Sequence, residues 1–179
     1  KLTYKNFKDI GKNLSKLGIN FNCAPVLDLK IKGASSVIGN RAFSRDPKIV
    51  SKLSLQACKG LLSENVFPII KHIPGHGRAK TDSHFCLPII KSSKKILQED
   101  FYPFMKLKKQ PLAMIAHIKY LNLDKNKCAT YSKLIINFIK NKIGFDGILL
   151  SDDLCMKALK GGYRYRARKA INAGCDIVL

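Results

Sequence analysis

Apolar residues along this chain recur at two periods that take turns, one helical and one strand-like. Phe7, Ile10, Leu14 and Leu17 fall on one helical stripe, with Thr3 placed to cap the helix and Gly18 to end it. Ile19 to Val26 then reads as a strand, which runs into Leu27-Asp28-Leu29 and a long polar loop from Lys30 to Arg45. Asp46-Pro47 opens the next helix, an N-cap followed by proline at the first helical position, with Ile49, Val50, Leu53, Ala57 and Leu61 behind it. Val66 to Ile70 reads as a buried strand. A helix from Ser92 or Ser93 carries Leu97, Phe101 and Phe104, and Pro103 is expected to kink it or delay its start. Leu112 to Ile118 is the next strand, and Ser132 opens a helix through Leu134, Ile135, Phe138 and Ile139 that closes near Gly144. Gly147 to Leu150 forms a strand ending in Ser151-Asp152-Asp153, a basic helix covers Arg164 to Ala173, and a last strand comes after Gly174.

Strand and helix alternate throughout, which is the pattern of a parallel α/β fold. A doubly wound sheet would want a glycine-rich phosphate turn after its first strand, and Leu27-Asp28-Leu29 offers none. A (β/α)8 TIM-type barrel instead spreads functional residues over several strand ends, as Asp28, Lys71-His72, His117 and Asp152 do here. The strands amount to about five strand–helix units, too few to close a barrel of eight. Residues 1–179 are therefore expected to form part of a single catalytic barrel domain truncated at both ends.

Charge changes this picture less than its size suggests. The 33 Lys and Arg against 12 Asp and Glu give a net charge of +21, which on its own favours a nucleic-acid-binding module. The lysines, however, are spread over the polar faces of every helix rather than gathered in one stripe with exposed aromatics, so a generally basic surface is the preferred reading. The scarce carboxylates outside helix starts, Asp28, Asp82, Asp152 and Asp153, are the ones that call for an explanation. Six scattered cysteines without a CxxC pair read as small buried residues in a reducing compartment. No apolar stretch approaches the ~18 to 20 residues that span a bilayer, so the expectation is a soluble cytoplasmic protein that engages neither membrane nor nucleic acid.

Candidate chemistry concentrates in Lys71 to His84, KHIPGHGRAKTDSH, which holds three of the four histidines. Pro74, Gly75 and Gly77 place it on a loop at the carboxyl end of the Val66 to Ile70 strand, with Lys71 and His72 where the strand stops. Four readings compete. His72, His76 and His84 with Asp82 could ligate a metal, although Pro74 breaks the helical spacing that would set His72 and His76 on one face. The histidines could be satisfied structurally inside a tight loop, which suits His76 between two glycines. The loop could belong to a basic nucleic-acid module. Or a histidine polarised by Asp82 could act as general acid/base beside a nucleophilic carboxylate, Asp152.

KHIPGHG followed by TDSH, with FNCAPVLDLK and IGNRAFSRDP upstream and FDGILLSDDLCMKAL downstream, resembles glycoside hydrolase family three, in particular its bacterial β-N-acetylglucosaminidases of peptidoglycan recycling. The resemblance implies a (β/α)8 barrel and a retaining, two-step removal of terminal β-linked N-acetylglucosamine from a small carbohydrate substrate, by a monomer that needs no metal or other cofactor. It implies Asp152 as nucleophile, His84 as acid/base tuned by Asp82, and Arg41, Lys71 and His72 as contacts to the sugar hydroxyls. Relatives that pass the sugar to phosphate instead of water make a phosphorylase the alternative. The family segment of Asp-Gln-Glu-Gly-Gly type, which supplies a further aspartate and arginine to the sugar, has no counterpart and is expected before Lys1. Neighbouring residues at a strand end face opposite ways, so only one of Asp152 and Asp153 can face the barrel mouth, and the family pattern selects Asp152. Asp153 is then expected to cap a helix beginning near Leu154.

Overall fold

The computed structural model describes residues 1–179. Five α-helices, α1 (Leu2–Lys16), α2 (Pro47–Leu62), α3 (Lys94–Lys106), α4 (Lys133–Phe138) and α5 (Tyr163–Ala173), alternate with strands. The strands are β1 (Phe21–Asn22), β2 (Phe67–Ile73), β3 (Ile89–Ile90), β4 (Leu112–Ile115), β5 (Lys119–Tyr120) and β6 (Ile148–Ser151). The main sheet runs β1-β2-β4-β6, and every neighbouring pair is parallel.

Strand alternation sorts this sheet into two unlike faces. Ile70, Ala113, Ile115 and Leu149 point outward into the main core, where Phe101 and Phe104 of α3, Ile135 and Ile136 of α4 and Ala170 of α5 meet them. Their neighbours Ile69, Leu112, Met114 and Leu150 point the other way into a separate small cluster to which no helix contributes. Phe67 and Ile148 lie in register on that inner face, and Phe21 stacks beside Phe67 with ring centroids 5.9 Å apart. A parallel sheet that is apolar on both faces but carries helices on one only is an arc of a (β/α)8 barrel, its inner face turned toward the barrel axis. Along β2 that inner column reads Phe67, Ile69, Lys71, so it changes from apolar to charged toward the carboxyl end.

Helix starts obey local chemistry closely. Asp46 caps α2 by accepting the Lys48 amide at 2.7 Å with Pro47 behind it, and Ser93 and Ser132 cap α3 and α4 in the same way. Thr3 does not cap α1, which already begins at Leu2 without any side-chain cap. Nor does the expected stripe of α1 face inward as a whole: Ile10 and Leu17 are exposed, and the buried residue is Gly11. Two glycines bring α1 and α2 together, since a Cβ on Gly11 would lie 3.1 Å from the Glu64 side chain and one on Gly60 would lie 2.6 Å from the Tyr4 carbonyl.

Strand lengths differ more from expectation. The Ile19 to Val26 strand shrinks to Phe21–Asn22, because a tight turn from Asn22 to Ala24 precedes Pro25 and pairing resumes only as a single bridge of Val26 to Lys71, where the Pro25 carbonyl accepts the Lys71 amide at 3.2 Å and Leu27 donates to the Lys71 carbonyl at 2.6 Å. β2 runs on through Lys71 and His72 to Ile73, so these two residues stand at its carboxyl end as expected, although the strand reaches further than Ile70. β4 stops at Ile115, and Lys119–Tyr120 instead pairs with Ile89–Ile90 in a small second parallel sheet. α3 runs through Pro103, α4 loosens into a π turn over Ile139–Ile143 before Gly144, and the last strand is a single bridge from Leu150 to Ile177. Cys58, Cys128 and Cys175 are buried as expected, whereas Cys23, Cys86 and Cys155 are exposed, and all six are free thiols.

Candidate active site

The carboxyl end of β2 is built around a buried carboxylate. Asp28 lies just past the break in the first strand and accepts the His72 Nδ1–H at 2.6 Å, the His76 amide at 2.6 Å and the His72 amide at 3.3 Å. Because a carboxylate can only accept, the His72 proton sits on Nδ1 and leaves Nε2 free. Burial alone would raise the Asp28 pKa, but the charges of His72 and His76 and their donated bonds outweigh it and hold it below the ordinary carboxylate value. The His72 and His76 rings meet edge to face, centroids 5.4 Å apart. Two glycines let the backbone around His76 pack this closely: a Cβ on Gly77 would lie 2.2 Å from the Leu29 carbonyl, and one on Gly75 would lie 2.8 Å from the Asp100 Cβ.

Further along the same loop stands a second carboxylate–imidazole pair. Asp82 Oδ1 accepts both the His84 amide at 2.9 Å and His84 Nδ1–H at 2.6 Å. Burial would raise the Asp82 pKa, yet these bonds and the neighbouring imidazoles lower it. The His84 side chain is 58% exposed, with Nε2 unbonded. The residue between them, Ser83, points inward and meets His76 Nε2 at 3.1 Å. The loop's Ser83 and His84 carbonyls accept the amides of Ala158 and Lys157, both at 3.2 Å, so it docks on the segment after β6.

That segment carries Asp152 and Asp153. Asp152 is half-buried, accepts only the Asp153 amide at 2.9 Å, and is close enough to His76 and His117 for its charge to favour their protonated forms. Burial wins at both imidazoles, whose pKa values fall below the ordinary histidine value. Asp153 is exposed, and its pKa is lowered by the bond from the Cys155 amide and by the nearby His117 and His84. Its side chain accepts the Cys155 amide at 2.7 Å, but the chain beyond it forms a series of turns, and the next α-helix does not begin until Tyr163. Its carbonyl is bound by His117 Nε2 at 3.0 Å, so His117 carries its proton there and its Nδ1 accepts from Thr130 Oγ1 at 2.6 Å.

Lys71 lies in register with Met114 on the inner face and is part-exposed. Arg41 is not brought to it: its Nε donates to the Val37 carbonyl in its own loop at 3.0 Å, and Nη2 donates to the same oxygen. No group of three or more His, Cys, Asp or Glu side chains converges as a metal site would require, since His72, His76 and His84 each have a different partner.

The model of the glycosyl hydrolase family 3 N-terminal domain matches residues 2–179. The chain belongs to glycosyl hydrolase family 3. A beta-hexosaminidase of Thioalkalivibrio sulfidiphilus is 38% identical over 170 residues, which cover 93% of this chain and 49% of that protein. One of Neisseria gonorrhoeae is 39% identical over 176 residues, covering 95% and 48%. Among solved structures, a family 3 β-N-acetylglucosaminidase from Paenibacillus superposes with a TM-score of 0.94 at 31% identity, over 99% of this chain and 35% of that one. NagZ from Neisseria gonorrhoeae, in complex with N-trifluoroacetyl-D-glucosamine, superposes with a TM-score of 0.90 at 38% identity, over 99% and 52%. The chain spans about half the length of the curated relatives it matches.

Within this family 3 frame, Asp28, Lys71, His72 and Asp152 lie toward one end of the sheet with the Asp82–His84 loop docked beside them, Arg41 stays bonded in its own loop, and the groups that hold the site are largely hidden from sequence reasoning. The scarcity of carboxylates singles out Asp28 without naming its two histidine partners. Arg78 escapes sequence reasoning altogether. Its Nε donates to Asp100 on α3 at 2.5 Å and its Nη2 to Glu99 at 2.6 Å, tying the loop to the helix behind it. Burial pushes Asp100 up to about 6 even with Arg78 beside it, and its second oxygen has no partner. Tyr120 of the small second sheet closes the back of the site by donating to the Gly75 carbonyl at 2.9 Å. An arginine beside a glycine turn, with an acidic pair on the next helix, is the one signal in the sequence that points to this brace.

Proposed function

We propose that the protein is a retaining exo-glycosidase that removes terminal β-linked N-acetylglucosamine from peptidoglycan fragments such as anhydro-muropeptides, with residues 1–179 supplying most of its catalytic barrel. The observation that carries this reading is the Asp82–His84 pair, exposed on a loop whose backbone docks on the segment bearing Asp152. The names of the relatives and the glucosamine derivative bound by the Neisseria NagZ support the substrate class.

In the first step the Asp152 carboxylate attacks the anomeric carbon, the glycosidic C–O bond breaks, and His84 passes its Nε2 proton to the leaving oxygen. With Nδ1–H held by Asp82, the neutral imidazole that results has its lone pair on Nε2. It then takes a proton from the incoming water, whose oxygen displaces Asp152 and restores the configuration. Lys71 and the free Nε2 of His72 stand at the carboxyl end of β2 to bind sugar hydroxyls, and Arg41 joins them by releasing the Val37 carbonyl. No step calls for a metal. Six free thiols suit a reducing cytoplasm, and no helix is long and apolar enough to cross a membrane.

One observation favours phosphate as acceptor in place of water: a histidine base, unlike a carboxylate, does not repel an incoming dianion. The full-length protein incubated with a nitrophenyl β-N-acetylglucosaminide decides among these. Release of nitrophenol in buffer without phosphate supports hydrolysis, sugar 1-phosphate as the main product in phosphate buffer moves the assignment to phosphorolysis, and no release from a folded protein removes both. A mechanism-based fluorosugar is expected to label Asp152, and an adduct mapped to Asp153 overturns the choice between them.

A further inference from the structure

The proposed acid/base pair is exposed, yet the residue between its two members is not. Ser83 is 2% exposed and His76, which it meets at 3.1 Å, is also 2% exposed. The local chain is a turn in which the Asp82 side chain accepts the His84 amide and holds the His84 ring on the solvent side, while Ser83 between them faces inward. His76 itself cannot drift. Its amide is held by Asp28 at 2.6 Å, and the glycines on either side of it are pressed against the Asp100 side chain and the Leu29 carbonyl.

On the far side of the same loop, the polar contacts of Ser83 and His84 to the segment after β6 are backbone bonds. Ala158 donates to the Ser83 carbonyl and Lys157 to the His84 carbonyl, while the amides of Phe85 and Cys86 close a turn onto the Asp82 carbonyl, each at 3.1 Å. Ser83 is thus the only one of the three residues Asp82, Ser83 and His84 whose side chain reaches the buried centre. On its other side the loop meets the segment after β6 through two long backbone bonds, Lys157 over the Phe85 ring at 6.0 Å, and Leu87 packed on the cluster of Cys128, Leu154 and Leu159.

We propose that Ser83 and His76 are positioning residues for the acid/base pair: the bond between Ser83 Oγ and His76 Nε2 anchors the loop so that His84 Nε2 stands over the glycosidic oxygen when Asp152 attacks. This rests on His84 being the acid/base. Neither residue touches the reacting atoms. The role is to hold the loop against the segment after β6, and losing it lets the loop swing while the sugar-binding strand end stays in place.

The test uses the full-length protein with Ser83→Ala and, keeping the hydroxyl, Ser83→Thr. Amide hydrogen exchange at Lys157 and Ala158 reads the docking without reference to activity. In Ser83→Ala it is expected to speed up roughly 5- to 10-fold, the factor one hydrogen bond is worth, and in Ser83→Thr to stay as in the parent. On glycosides with poor leaving groups, Ser83→Ala is expected to lose roughly 10- to 100-fold in kcat/KM, a part of what general acid catalysis contributes, with a changed pH profile. Nitrophenyl glycosides, which need no proton, are expected to lose little in the glycosylation step. Unchanged exchange, equal losses on both substrate classes, or a Ser83→Thr variant as impaired as Ser83→Ala would each overturn the proposal. If the parent protein cleaves neither class, the hydrolase reading fails, and the exchange comparison alone decides whether Ser83 anchors the loop.

Discussion

Two carboxylate–imidazole pairs stand at the carboxyl end of β2 and on the loop beyond it, each with an oxygen 2.6 Å from an Nδ1, and they share almost nothing else. In Asp28–His72 the side chains are 0% and 6% exposed, and the carboxylate also gathers two backbone amides. In Asp82–His84 they are 27% and 58% exposed, and the imidazole's second nitrogen looks into open space. Contact geometry alone therefore says nothing about role. The buried pair has no freedom to move and every reason to stay bonded, because each lost partner would strand a polar group away from water. The exposed pair can admit a substrate oxygen and exchange a proton with it. The first suits holding a histidine in one tautomer, and the second has the exposure that the proposed acid/base work needs.

Removing one member of each pair should separate them most sharply. Asp28→Ala leaves the His72 and His76 donors without acceptors in the interior, and breaking a buried pair on one side costs about 3 to 5 kcal/mol. His84→Ala, at an exposed position, should stay within about 0.5 kcal/mol of the parent. Urea unfolding of the full-length protein checks both, and equal costs would dissolve the distinction.

Acid sharpens the same contrast. The Asp28 pKa is lowered in the folded state, so its contribution to stability is fully present above the unfolded carboxylate value of about 4 and is lost as pH falls through the lower folded value. Asp28→Asn should flatten that acid limb in urea midpoints taken downward from pH ~5. Asp82 is lowered too, but solvent screens its exposed pair, and Asp82→Asn should leave the limb nearly as steep.

The smallest effect belongs to the brace behind the buried pair. Asp100 has a raised pKa of about 6, so the folded state keeps a proton that the unfolded chain has already lost. Stability should therefore fall as pH rises from about 4 to about 6, and Asp100→Asn should remove that dip while the Asp28 limb remains.

The exposed pair is legible in the sequence and the buried one is not, for a physical reason. Asp82 and His84 are two residues apart in one turn, where the Asp82 carboxylate accepts both the His84 amide and its Nδ1–H, so their meeting comes from local geometry. Asp28 and His72 are 44 residues apart and meet only because β1 and β2 are parallel neighbours, a fact of topology. The alternation of helices and strands, and with it the barrel, can be read from hydrophobic periods and caps such as Asp46 and Ser132. Strand ends cannot, because tertiary bonds decide them: the Lys71 backbone pairs across the turn at Asn22 to Ala24, and His117 leaves β4 to reach the Asp153 carbonyl. Cys86 and Cys155 are exposed against expectation because small residues beside active loops carry no periodic signal of their exposure.

The claim that the exposed pair does the proton transfer is tested most directly by His84→Ala in pre-steady-state measurements of the glycosylation step. On substrates with poor leaving groups the variant should lose roughly 10²- to 10⁴-fold, the usual contribution of a general acid, and on a nitrophenyl glycoside, whose leaving group needs no proton, far less. Equal losses on the two classes would take His84 out of the acid role and leave the two pairs distinguished by burial alone.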